Sequence, residues 1–344
     1  MEIPFYVGCY APKGQDSLFA YCLNTQTGSV TPTHTCAEVE KPSYLALSSD
    51  GETLYAVSET ETFEGQAGGG FAALSCKNSF SVYGQSATRG TFPCHILLQE
   101  ADGLAFISNY GSGTISTFHI KPAAAPRLES VTQHHGHGPN AERQEGPHVH
   151  SCTWVGEQLG AADLGIDRIA LYHVHKGKLT AAGAIALPAG SGVRHFVCDV
   201  NRADRLYAAC ELTSEVAIVK KAGDCRQAEK QLSALPHAVT GNTCAAIRQT
   251  RDGRFLLVSN RGHNSIAVFR CTQEGLSPLH WIDTHGQDPR DFLLVQNFLL
   301  VANQTSRSLS IFKFNPQTAE AALCQTVSFP AAPVCITAPM QSLT

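Results

Sequence analysis

Short apolar runs separated by turn residues recur from one end of the chain to the other, and none keeps the 3.6-residue period of an amphipathic helix. In Lys41-Pro-Ser-Tyr-Leu-Ala-Leu-Ser-Ser-Asp-Gly-Glu-Thr-Leu-Tyr-Ala-Val-Ser58 an apolar run leads through an Asp-Gly turn into a second apolar run. The same order, with Asp-Gly or another tight turn between the first two runs, returns in residues 92–118, 146–172, 193–219, 243–269 and 288–312, each ending in a polar turn and a third run. A repeat of roughly 45–55 residues lies in the range of propeller blades. The ends complete the count. Ala332-Pro-Val-Cys-Ile-Thr-Ala338 matches only the first strand of a unit, whereas Pro4–Tyr10 and Leu18–Leu23 match only its second and third. The pattern predicts an all-β fold, a seven-bladed β-propeller spanning residues 1–344 as a single domain. Its ring closes by pairing N-terminal strands with a C-terminal strand, which leaves no free sheet edge.

In such a blade the first strand lines the central channel. The residues that open it therefore share one face of the disc with the turns between the second and third strands. The turns on the other face repeat Asp-Gly (Asp50-Gly51, Asp102-Gly103, Asp252-Gly253), as any tight hairpin requires. The first face instead changes its chemistry from blade to blade, as a single asymmetric site would, and channel mouths are concave. Gly146-Pro-His-Val-His places His148 and His150 on one side of a strand entry, since proline enforces extended geometry and the strand period is two. A metal pair, a general base with a helper, and plain polar strand residues all fit that pair. Arg194, Arg261 and Arg290 gather at the same mouth, which points to an anionic ligand. Glu211 is read at the place where other blades carry Asn109, Asn260 and Asn303. Those asparagines read first as turn formers, with Asn109 also a candidate ligand contact beside His95 and Arg143. His195 and Asp291 are expected on the opposite sides of their strands, in packing. Two long insertions, residues 60–70 and 121–145, map to loops, and His134, His135 and His137 in the second are expected to be solvent exposed.

Charge narrows the partners. A net charge of −4, a pI near 6.4 and the lack of any Lys/Arg block argue against nucleic acid or an anionic membrane. The amino terminus has neither a basic segment nor a long apolar run, so a cytoplasmic protein is expected. The 13 cysteines sit in apolar runs without a C-x-x-C pair and read as free, buried thiols of a reducing compartment. A His-x-His pair with a His-rich loop is compatible with Zn or Mn, but neither a Cys ligand set nor an H-E-x-x-H helix accompanies it. No metal and no cofactor are expected.

The segments Pro-Ser-Tyr-Leu-Ala-Leu-Ser, Gly-Pro-His-Val-His-Ser, Ala-Asp-Leu-Gly-Ile-Asp-Arg, Val-Arg-His-Phe, Ser-Asn-Arg-Gly-His-Asn-Ser and Asp-Pro-Arg-Asp-Phe resemble the bacterial lactonase propellers. That family includes propeller-type 6-phosphogluconolactonases and carboxymuconate lactonising enzymes. The resemblance covers essentially the whole chain. It implies a catalytic set of His148, Arg194, Glu211 and Arg261, with Arg143 and Arg290 at further family positions. From their place at the same rim, His150, Arg290, Arg143, His95 and Asn109 are expected as substrate contacts. The activity the resemblance implies is hydrolysis of a sugar lactone, 6-phosphogluconolactone above all, with water activated by His148 or Glu211. A carboxymuconate-type cycloisomerase and a non-catalytic binding propeller are the alternatives.

Overall fold

The computed structural model describes residues 1–76, 79–223 and 225–343. Seven four-stranded antiparallel sheets stand around a common axis. Their innermost strands, in ring order from blade 1 to blade 7, are Pro42–Leu47, Pro93–Gln99, Val149–Val155, Val193–Cys198, Thr243–Gln249, Pro289–Val295 and Ala332–Thr337. Blade 7 joins both ends of the chain, because Ala332–Thr337 pairs with Glu2–Tyr10, which pairs in turn with Leu18–Asn24. The fold and its closure are those read from the repeat.

Burial follows from the stacking of sheets. The middle strands are buried on both faces, as in Thr53–Ser58, Leu104–Asn109 and Arg205–Cys210, while outer strands such as Lys178–Ala186 are largely exposed. The apolar core is divided into seven clusters, each built by two adjacent blades. Phe106, Phe255 and Phe298 are among the fully enclosed side chains, each worth about 1.5–3 kcal/mol of burial. The Asp-Gly turns lie on one rim with Gly51, Gly103 and Gly253 at φ of 74°, 63° and 71°, the left-handed region that glycine enters without cost. The insertion at residues 60–70 forms a small hairpin, Thr62–Phe63 with Gln66–Ala67.

Closure of the ring depends on close packing at Gly8, where an added Cβ would collide with Pro42 O and the Cys335 thiol. Gly8→Ala is expected to lower stability by about 1–3 kcal/mol through overpacking. A urea midpoint that falls at constant m-value would show it, and an unchanged midpoint would contradict it.

Candidate active site at the channel mouth

Every inner strand carries one extra residue near its start. Pro93 and His95 face the consecutive residues Asn109 and Ser108, so Cys94 is surplus to the pairing. The same register shift makes His150, Arg194 and Arg290 the extra residues of blades 3, 4 and 6. A bulge kinks the strand and re-aims a side chain. These four side chains therefore occupy equivalent places at the mouth. The bulge also corrects the expectation for His195. Strict alternation would send it away from Arg194, yet its ring centroid lies 5.2 Å from His150, 5.5 Å from His95 and 6.4 Å from Tyr44. Those rings come from four different blades and meet in the channel. Asp291 does turn into packing: its Oδ1 lies 2.7 Å from Arg248 Nη2 and its Oδ2 accepts from Ile336 N at 2.9 Å.

The register corrects a second expectation. Cys210, not Glu211, pairs with Val193 in the way that Asn109 pairs with Pro93 and Asn303 with Pro289. Glu211 is thus one residue beyond the asparagine position and equivalent to Tyr110, Arg261 and Glu59. Asn109 itself is fully buried, and its amide donates to Thr114 Oγ1 at 3.0 Å and Ser116 Oγ at 2.9 Å within its own blade. That amide holds the turn, while the buried Oδ1 has no partner.

Glu211 is the centre of the cluster. Arg143 Nη2 donates to its Oε1 at 2.7 Å, and Arg194 Nε and Arg261 Nη2 each lie 2.9 Å from its Oε2. Arg194 Nε is close but poorly aligned and makes no hydrogen bond, and the buried Nε of Arg261 is likewise unpartnered. Burial alone would raise the Glu211 pKa, but Arg261, Arg194 and the neighbouring groups outweigh it and hold the carboxyl well below the carboxylate range. Arg194, enclosed and beside Arg261, is pulled down to about 10 and stays charged at neutral pH. Across the mouth, Glu59 Oε2 accepts from Tyr10 Oη at 2.7 Å and lies 3.5 Å from Arg290 Nη2, while the Arg290 guanidinium sits over the Tyr10 ring. Four guanidinium groups thus face Glu211, Glu59 and, at the solvent edge, Glu145, which leaves the mouth net positive.

His148 is fixed from several sides. Its Nδ1 lies 2.9 Å from the Tyr110 carbonyl, so Nδ1 carries a proton, and its ring stacks on Tyr110 at 4.4 Å and 13°. The Tyr110 hydroxyl also accepts from Arg143 Nη2 at 3.3 Å. The His148 backbone N–H donates to Asp163 Oδ1 at 2.7 Å. Asp163 Oδ2 lies 2.7 Å from His134 Nδ1, and His134 Nε2 is 2.8 Å from the Tyr172 hydroxyl. His134 is therefore buried structure and not an exposed loop residue, whereas His135 and His137 are exposed. The insertion that carries it is anchored by Gln144, which is wholly enclosed and bonds Leu164 O and Asp167 Oδ1, both at 2.8 Å.

Sequence reasoning missed Tyr110, Glu59, Tyr10, Asp163 and Glu145. Tyr110, Glu59 and Asp163 stood in the correct turns, but nothing in the sequence distinguished them from turn residues. Below the mouth, burial and the nearby Arg248 and Arg194 push His95 down to about 3. Burial and Arg194 depress His150 and His195 well below the ordinary imidazole value. All three are neutral hydrogen-bonding groups, and the adjacent guanidinium charge disfavours a cation between them. Grooves of about 440 and 460 Å³ open on the opposite rim, beside Glu157 and beside Gly253, and contain none of the mouth residues.

Residues 4–338 match the family described as lactonase, seven-bladed beta-propeller. The chain belongs to this family of lactone-hydrolysing enzymes. It is 32% identical to a 6-phosphogluconolactonase of Bacillus subtilis strain 168 over 96% of this chain and 97% of that one. A protein of Lactobacillus plantarum with a crystal structure superposes at a TM-score of 0.90 with 30% identity, over 98% of this chain and 99% of that chain. The Pseudomonas aeruginosa periplasmic gluconolactonase shares the fold at a TM-score of 0.89 and 24% identity, over 98% of this chain and 99% of that chain. Among the described residues of this lactonase propeller no helix is long and apolar enough to cross a membrane.

The depressed imidazoles make stability pH-dependent. On acidification the unfolded chain binds protons near pH 6.5 at His95, His150 and His195, whereas the folded channel refuses them until much lower pH. Protons therefore favour unfolding, and stability is lost as pH falls below about 6.5, by about 1.4 kcal/mol per imidazole per pH unit. Thermal unfolding between pH 7.5 and 4.5 is expected to show a falling midpoint that becomes shallower in His195→Asn. The same slope in both proteins would contradict the assignment.

Proposed function

We propose that this lactonase hydrolyses a phosphorylated sugar lactone, with 6-phosphogluconolactone as the substrate that suits the mouth best. The observation that carries the reading is the net positive charge that Arg143, Arg194, Arg261 and Arg290 set over Glu211, Glu59 and the exposed Glu145. A phosphomonoester near neutral pH carries between one and two negative charges, and guanidinium forks bind phosphate in a bidentate manner. The name of the Bacillus subtilis relative agrees with this substrate class. All 13 cysteines are free thiols, which suits a reducing compartment such as the cytoplasm.

His148 acts as the base in this reading. With its Nδ1 proton committed to the Tyr110 carbonyl, the neutral ring presents Nε2 as an acceptor once the exposed Glu145 carboxylate, 3.1 Å away, turns to solvent and admits water. Nε2 takes a proton from water as the water oxygen attacks the lactone carbonyl. The negative charge that develops on that oxygen is stabilised by guanidinium donors already in place, of which Arg194 and Arg261 are the best placed. The C–O ring bond then breaks and the imidazolium returns its proton to the departing ring oxygen. Glu211 is not the base, since three guanidinium groups hold it anionic; it keeps Arg143, Arg194 and Arg261 converged. His150, with Arg290 and His95, completes the polar wall that meets the substrate.

Two variants test the reading against the spontaneous hydrolysis of the lactone. His148→Ala is expected to lower kcat by about 10²–10⁴-fold, the usual span for general acid–base help. Arg290→Ala is expected to raise KM for the phosphorylated lactone much more than for gluconolactone. Full activity in the first, or equal effects on both substrates in the second, would refute the corresponding assignment.

A further inference from the structure

His148 stands between two acceptors. Its Nδ1 meets the Tyr110 carbonyl at 2.9 Å, and its Nε2 lies 3.1 Å from Glu145 Oε1. A neutral imidazole has one N–H and can satisfy only one of them. The surroundings therefore complement the imidazolium, the form that His148 takes once it has removed a proton from water. Glu145 differs from Glu211 in every relevant respect. Its side chain is 59% exposed and touches the imidazole from the solvent side, whereas Glu211 is enclosed and bound by three guanidinium groups. It follows the enclosed Gln144, which pins the insertion, and precedes Gly146 and Pro147 on the way to His148. The backbone is thus held while the carboxylate can swing between the imidazole and water. Its own backbone N–H favours its ionised form, and so do the charged groups facing it, His148 and Arg143.

Glu145, we propose, is the proton-relay residue of the mouth, carrying the proton that each turnover releases from His148 to solvent. The inference rests on the lactonase reading, and the balance of that reaction calls for such a relay. One proton of the attacking water passes through Nε2 to the ring oxygen, which leaves as a hydroxyl. The other remains on the product carboxylic acid, which ionises at neutral pH, so one proton per turnover must leave an enclosed, positively charged mouth. His148, neutral again after the ring opens, takes that proton at Nε2, and Glu145 Oε1 accepts it and rotates outward to bulk water. The imidazole is then ready for the next water. Glu145 acts through His148 and need not touch the substrate.

A relay, unlike a structural contact, can be replaced by a small base in solution. Glu145→Gln keeps shape and surface exposure but cannot carry a proton. In dilute buffer its kcat with 6-phosphogluconolactone is expected to fall roughly tenfold, less than the span for a direct acid–base group because water still takes the proton slowly, with KM within about twofold of the parent. Added imidazole should restore kcat in a saturable manner while leaving the parent enzyme unchanged, and Glu145→Asp should retain most activity without it. A Glu145→Gln enzyme equal to the parent at every buffer concentration would overturn the relay, as would a loss that imidazole does not restore. In those outcomes the parent enzyme remains an active lactonase and that reading stands. A parent enzyme with no rate above spontaneous hydrolysis would instead overturn both.

Discussion

One surplus residue in each inner strand is the constraint on which this site depends. A regular strand alternates its side chains between two faces, so a channel wall would show every second residue and nothing more. The bulge in each blade interrupts that alternation at the mouth, where Cys94, His150, Arg194 and Arg290 occur. It gives one strand two neighbouring side chains with channel access, as Arg194 and His195 demonstrate through their mutual contact at 3.4 Å. The position just past the second strand then supplies a second circle of side chains, among them Tyr110, Glu211, Arg261 and Glu59. The two circles meet, and charge from several blades converges on a single carboxylate.

That convergence has an energetic condition. Arginines so close together repel one another, and enclosing them costs hydration. Glu211 makes the arrangement tolerable by sharing its two oxygens among three guanidinium groups, but it does not neutralise them. The residual positive charge is left unsatisfied until an anion arrives. The buried Nε atoms of Arg194 and Arg261, both lacking a hydrogen-bond partner, are the local expression of that incompleteness. The same guanidinium charge, together with burial, keeps the deeper imidazoles neutral.

The fold was legible because repetition is a property of sequence: six internal units and two partial ends admit one closed ring. Which side chains would share a rim was legible too, since topology alone places the strand openings beside the turns between second and third strands. Arg194, Glu211 and Arg261 do meet there, and His148 is linked to them through Tyr110 and Arg143. What the sequence concealed was register. A bulge leaves no mark in composition, so His195 was assigned to the wrong side and Glu211 to its neighbour's position. Tertiary satisfaction was hidden for the same reason. His134 reads as an exposed loop histidine until Asp163 and Tyr172, which come from other parts of blade 3, close around it. Asn109 reads equally well as turn or ligand contact, and its bonds to Thr114 and Ser116 show the amide in the turn role.

The equivalence of bulged positions around the ring has a consequence for how such a protein can change. Each of these side chains hangs from its own blade, while the apolar clusters between blades lie deeper along the sheets. A substitution at one bulge acts first on its own sector and reaches others only where side chains share a partner, as Arg194 and Arg261 share Glu211. Substrate preference can therefore drift sector by sector, each step tested by selection on a scaffold that does not have to be rebuilt. The chain is organised like a combination lock, with the code held on separate dials and the casing common to all of them.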